Sequence, residues 1–146
     1  MSLFVRLADW NADHEAIRRI REQVFIEEQK VPADIEWDEH ETSAQHFLIF
    51  LNDKPVGTGR ITGDGKIGRM AVLAGARGHG AGLQLLKFIC GFARAEGQKS
   101  VYLNAQCQAE PFYEKAGFAK EGDVFAEAGI PHVRMTKKLG EAAENA

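Results

Sequence analysis

Hydrophobic and polar positions change period several times along the chain, and each change marks an element. Residues 3–8 read as a strand. From about 12 to 25, Ile17, Ile20 and Val24 recur at i, i+3 and i+7, while Arg18, Arg19, Arg21 and Glu22 take the other side, the stripe of an amphipathic helix. Phe25 to Pro32 then leads into a loop or short helix ending near Asp38. Residues 45–51 read as a strand, 52–55 as its turn, 56–62 as the antiparallel return, and Gly63-Asp64-Gly65 as a tight reversal into a strand over 66–72. An apolar helix follows to about 96, then a strand over 100–105, a short helix near 109–116 with Pro111 at its start and Gly117 at its end, a strand over 118–121 and a last strand over 132–137. Helices interrupted by an antiparallel meander and later strands predict an α+β sandwich. Six to seven strands form a mixed, mostly antiparallel sheet with helices on both faces.

The densest chemical signal is Arg77-Gly78-His79-Gly80-Ala81-Gly82, between an apolar strand and an apolar helix. Three glycines in five residues let backbone amides approach a ligand, and a helix beginning there aims unpaired N–H groups and its positive dipole end outward. Residues 74–82 contain no Ser, Thr, Asp or Asn to cap those donors, so an anionic ligand is the expected partner. A nucleotide P-loop is excluded, because Ala81-Gly82 stands where Lys-Ser or Lys-Thr is required after Gly80. A dinucleotide fingerprint needs glycine at position 83, which is Leu83.

The spacing Arg77-x-x-Gly80-x-Gly82 resembles the pyrophosphate signature Q/R-x-x-G-x-G/A of the GNAT superfamily of acetyl-CoA-dependent N-acetyltransferases. Two more segments resemble that superfamily in the right order: Gly68-Arg69-Met70-Ala71-Val72 upstream and Phe112-Tyr113-x-x-x-Gly117-Phe118 downstream. Val24-Phe25-x-x-Glu28-Gln29-x-Val31-Pro32, followed by Glu36-x-Asp38, is similar to a bacterial subgroup within it. The resemblance spans residues 3–139. It implies that acetyl-CoA is the co-substrate, held by Arg77, Gly78, His79, Gly80, Ala81 and Gly82 at the pyrophosphate and by main-chain groups of Met70, Ala71 and Val72 along the pantetheine arm. Asn104 and Phe112 are further cofactor contacts on this reading. Tyr113 matches the position whose phenol protonates the leaving sulfur, although an aromatic packed with its hydroxyl at the surface also suits that segment.

Composition narrows the partners. A chain of 146 residues that is 45% hydrophobic and 27% charged has the make-up of one domain with its own core, residues 1–146, ending in a polar tail at 140–146. A net charge of −3 argues against sequence-independent nucleic-acid binding, and no apolar run approaches a membrane span, so the expectation is a cytoplasmic protein acting on a small-molecule or peptide amine. A homodimer is compatible with the resemblance. No Cys/His spacing suggests a metal site. Cys90 falls on the apolar helix as a small hydrophobe, whereas Cys107 follows a strand end, where a nucleophilic role would require a neighbouring base.

The acceptor side is less determined. Glu28, Asp38, His40, His46, Glu110 and His132 are all chemically suited to accept a proton from an amine, and Glu28, Asp38, His46 and His132 are the substrate-binding candidates. Between Glu27 and Glu41, seven carboxylates stand against Lys30, a local balance of −6, leaving +3 on the rest of the chain. Such polarity predicts a cationic acceptor drawn to the acidic segment and an anionic cofactor drawn to Arg77. Three readings compete on the sequence: an N-acetyltransferase, an acyl-CoA sensor without turnover, and an interaction module without cofactor.

Overall fold

The computed structural model describes residues 2–31, 37, 41 and 43–140. Its strands are β1 (Leu3–Leu7), β2 (Gln45–Leu51), β3 (Lys54–Ile61), β4 (Ile67–Val72), β5 (Ser100–Gln106), β6 (Ala119–Glu127) and β7 (Ile130–Lys138), and its main helices are α1 (Trp10–Arg21), α2 (Ala81–Ala95) and the short α3 (Glu110–Lys115). Asp9 caps α1 by accepting from the Asn11 amide, the usual work of a carboxylate at that position. The periodic stripe expected to run to 25 is divided. α1 stops at Arg21, and Glu22–Glu28 continues as a π-helix. That wider turn ends at Lys30, whose φ of 64° turns the chain away.

The strands form two antiparallel sheets in the orders β1-β2-β3-β4 and β5-β7-β6. The mixed, mostly antiparallel arrangement expected from the sequence holds, and β4 and β5 meet only at a parallel bridge between Lys66 and Tyr102 and then diverge. β2, interior to the larger sheet, is buried on both faces, so its sequence is a near-continuous apolar run rather than an alternation. Phe47 and Ile49 pack with Leu85, Leu86 and Ile89 of α2, while Leu48 packs with Ile17 and Ile20 of α1 on the opposite face. Helices thus cover both faces of the four-stranded sheet. The smaller sheet turns Val101, Leu103, Ala105, Val133 and Met135 into the α2 core. Its other face is left to polar side chains.

Arg21 corrects the helical pattern. Grouped with the polar side of the stripe, it is 1% exposed and forms a bidentate pair with Glu41 at 2.7 and 2.9 Å beneath the Trp37 ring, with Arg60 also 3.4 Å from that carboxylate. A buried guanidinium is tolerated because its charge and donors are met by the carboxylate and its face by the indole.

Candidate active site

Divergence of β4 from β5 opens a wedge-shaped cleft of about 1090 Å³. β4 reaches it with an irregularity. Thr58 pairs with Ala71 and Arg60 with Gly68, so two β4 residues, Arg69 and Met70, oppose Gly59 alone in a bulge where Arg69 has φ 50°. Beyond the bulge the Leu73 amide donates to the Val56 carbonyl, so alternation directs the main-chain groups of Met70 and Val72 away from β3, toward the wedge. No strand among the described residues pairs with that edge of β4 past Lys66. It presents the extended row of donors and acceptors that an arm-like ligand would pair with.

At the end of β4 the chain makes one 3₁₀ turn and enters α2 through the glycine loop. Gly78 and Gly80 have φ of 87° and 80°, conformations that L side chains rarely adopt. Gly80 is the N-cap of α2 and no side chain caps the helix. The Gln84 amide bonds the Gly80 carbonyl, but the amides of residues 78–83 find no acceptor among the described residues. His79 is exposed beside them. Gly82 sits close to the Phe112 ring, which a Cβ there would touch at 3.4 Å, an ordinary contact. Phe112 therefore anchors α3 against the first turn of α2.

Arg77 does not face outward as the charge argument requires. Its Nε donates to the Val72 carbonyl at 2.9 Å and its two terminal nitrogens donate to both oxygens of Glu28 at 2.7 Å. The pairing holds the Glu28 carboxyl below its ordinary range and the guanidinium above its own. Glu28, expected on the acceptor side, and Arg77, expected on the cofactor side, are joined by a bidentate contact that offsets their charge. It also ties the end of the π-helix to the loop before α2.

Tyr113 lines the cleft from α3. Its ring packs edge-on against Phe112 and Phe118, with centroids 5.0 and 6.1 Å away, and its hydroxyl hydrogen-bonds to no described residue. Burial pushes the phenol up to about 12, so it holds its proton through the neutral range. The packing and the chemical reading of Tyr113 are both satisfied, since the ring is a core contact and the hydroxyl is unspent.

The opposite wall is the polar face of the smaller sheet. Gln106 pairs with His132 and Asn104 with Arg134 across β5 and β7, which puts these side chains on one face, opposite buried Val133 and Ala105. Asn104 donates to Glu127 at 3.3 Å, and Gln106 donates to Gln29, from beyond the π-helix, at 2.9 Å. His132 is 6% exposed, its Nδ1 lies 2.7 Å from the Ile130 carbonyl, and its Nε2 lies 3.6 Å from Glu127. Because a carbonyl only accepts, Nδ1 carries the proton in the neutral ring and Nε2 is left with the lone pair. Glu127 had no signal in the sequence, since it ends an exposed edge strand and meets its partners only through strand pairing.

The remaining acceptor candidates divide. His46 is not in the cleft: it is 3% exposed, lies 4.5 Å from the Trp10 ring, and its Nε2 meets the Glu41 carbonyl at 2.6 Å. Burial, the largest influence, lowers its pKa, as befits a core histidine under α1. Asp38 and His40 lie outside the described residues, as do Glu36 and the tail beyond residue 140. Glu110 pairs with Lys120 at 3.3 Å. Cys90 is buried, which raises its thiol pKa, and no cluster of His, Cys, Asp and Glu among the described residues would hold a metal. No described helix is long and apolar enough to cross a membrane.

Known proteins with this arrangement agree on a family. Residues 11–139 match the acetyltransferase (GNAT) domain. The chain is 42% identical over 122 residues to the uncharacterized N-acetyltransferase YjcF of Bacillus subtilis, covering 81% of this chain and 87% of that protein. Among solved structures, an acyl-CoA N-acyltransferase from Pseudomonas aeruginosa superposes with a TM-score of 0.82 at 27% identity, over 93% of this chain and 99% of that one. Escherichia coli ElaA superposes with a TM-score of 0.80 at 26% identity, over 94% of this chain and all of that one, 100%. With the β4–β5 wedge and the uncapped helix in place, the chain belongs to the GNAT acetyltransferase family and is an acyltransferase that draws its acyl group from acyl-CoA.

Proposed function

We propose that this protein is an N-acetyltransferase that moves the acetyl group of acetyl-CoA to a primary amine of a small molecule or peptide by direct attack on the thioester. The observation that carries the reading is the β4 edge without a strand partner among the described residues, which runs from the cleft holding an unspent phenol toward the unsatisfied amides that open α2. These residues fit the co-substrate. The amides of residues 78–83, on the positive end of α2, suit the pyrophosphate, and the outward main-chain groups of Met70 with the Val72 amide suit the amide-bearing arm, the Val72 carbonyl being held by Arg77 Nε. Asn104 and Phe112 border the same path. Bound acetyl-CoA supplies the activated acyl group.

What the chain's own residues contribute is positioning and proton control. The cradle and strand edge fix one reactant so that an amine entering from the polar wall meets it in a defined geometry. Tyr113 holds its proton at the hydroxyl through the neutral range and can hand it to the departing sulfur as the attacking nitrogen, which must lose a proton to become the amide, returns one to the phenolate.

Two measurements test the reading. Thermal shift with CoA and with acetyl-CoA should raise the melting temperature, because ligands that bind only the folded state stabilise it. Thiol release from acetyl-CoA should then depend on an added primary amine. A rise in melting temperature without amine-dependent thiol release across a broad panel would favour an acyl-CoA sensor, and no rise at all would remove the cofactor.

A further inference from the structure

We propose that His132 and Glu127 form the site where the acceptor amine is bound as a cation and deprotonated. The proposal rests on the N-acetyltransferase reading above and deepens it. Three strands bring the groups together. Glu127 ends β6, His132 lies near the start of β7, and the two residues between these strands, Ala128 and Gly129, have φ of 53° and 76°, the left-handed pair of a tight hairpin turn. Phe125 pairs across from His132 and stacks on its imidazole with ring centroids 6.1 Å apart, fixing the ring plane.

The hydrogen bonds assign roles. The Nδ1–H donated to the Ile130 carbonyl fixes the tautomer, so the basic lone pair is at Nε2, and Nε2 points toward the Glu127 carboxylate at 3.6 Å. Asn104 steadies the other Glu127 oxygen at 3.3 Å. Glu127 keeps enough exposure, 44% of its side chain, to receive a ligand from the cleft, which His132, Glu127, Asn104 and Tyr113 all line. An ammonium docked on Glu127 meets an imidazole that is already oriented. One N–H bond of the ammonium breaks, the proton forms a bond to Nε2, and the free amine keeps the lone pair it needs for attack. The imidazolium that results is balanced by Glu127. On this wall Arg134 lies over the Tyr102 ring at 4.0 Å; of the other charged side chains lining the cleft, Asp64 accepts from Tyr102 and Thr62 and Arg60 pairs with Glu41, while Lys66 and Arg69 stand on the β4 side. The acceptor class that follows is a cationic primary amine.

The test uses the full-length enzyme, acetyl-CoA, and butylamine, putrescine and lysine amide as acceptors, with glutamate and glucosamine 6-phosphate as anionic controls. For a cationic amine turned over by the wild type, His132→Asn, which keeps a donor for the Ile130 carbonyl, should lower kcat/KM about a hundredfold at neutral pH, the ordinary loss for a general base. Activity should recover at higher pH as the amine deprotonates in solution. Glu127→Gln should raise the amine KM about tenfold with the KM for acetyl-CoA unchanged, and Glu127→Asp should restore part of the loss. Independently of any acceptor, imidazole ¹⁵N spectra of the wild type should show the neutral His132 ring protonated at Nδ1. Protonation at Nε2, equal activity of both variants and wild type, parallel loss for both substrates, or preference for the anionic acceptors would overturn the assignment. If the wild type acetylates no amine at all, the acetyltransferase reading fails first and takes this inference with it, an outcome distinguishable from an active wild type with indifferent variants.

Discussion

The two walls of the cleft solve their binding problems with different materials. On the β4–α2 side the groups available to a ligand are main-chain amides and carbonyls, placed by glycines at positions 78 and 80, a bulge at Arg69 and a strand edge without a partner among the described residues. On the β5–β7–β6 side they are side chains, Asn104, Gln106, Glu127 and His132, contributed by three strands of which two are joined by a tight turn and the third arrives from across the sheet. A main-chain site tolerates wide variation in the side chains around it and binds what all its substrates share. A side-chain site can change its ligand by single substitutions.

Gly80→Asp should separate the walls most sharply. A carboxylate at the uncapped amides opposes the pyrophosphate directly, and CoA affinity should fall at least about a hundredfold by calorimetry, since like charges in contact cost several kcal/mol. The positive φ adds strain of about 1–2 kcal/mol, lowering the melting temperature without preventing folding. Undiminished affinity in a folded variant would take the cradle out of the mechanism.

Tyr113→Phe comes next. Turnover on an identified amine should drop about tenfold to a thousandfold while the KM for acetyl-CoA holds, the signature of a lost proton donor rather than lost binding. The melting temperature at neutral pH should stay close to the wild type, because the hydroxyl makes no hydrogen bond to a described residue. Above pH 10 the two proteins should part. A phenol raised by burial to about 12 contributes stability that is complete below its unfolded value of 10 and lost as pH rises toward the folded one, whereas the phenyl ring of the variant does not titrate. An unchanged turnover would make Tyr113 purely a packing residue.

His46→Gln probes a histidine outside the cleft. Its folded pKa lies below the ordinary 6.5, so the neutral ring favours the folded state above that value, and the advantage is lost as pH falls through the folded pKa. Denaturation curves of the variant should be flatter with pH on the acid side, with thiol release nearly unaffected at neutral pH. A large loss of activity there would return His46 to the acceptor site.

The smallest effects belong to Arg77 and Glu28, whose side chains are 42% and 44% exposed. Arg77→Ala should weaken CoA binding about three- to tenfold and less at high salt, whereas Glu28→Gln should tighten it about twofold by releasing the guanidinium. Weakening by both substitutions would mean that the pair acts as a brace between the π-helix and the cradle.

The cradle was legible because its requirements are local. Gly78, Gly80 and Gly82 lie in one short segment between a strand and a helix, and the absence of a capping side chain is itself visible in the letters. Apolar runs, turn residues and the stripe of the first helix together located all seven strands and the three main helices, although β6 runs to Glu127 rather than 121 because exposed edge residues lack the apolar signal. Three features were decided only by the tertiary structure. The cancellation of Glu28 by Arg77 joins residues 49 positions apart, and the burial of Arg21 needs Glu41 and Trp37 together. The meeting of Glu127 with Asn104 is likewise a product of strand order. Backbone chemistry is written in consecutive residues because glycine acts on its own φ and its own helix end, but charge depends on what lies within a few ångströms in space, and only the folded chain sets those neighbours.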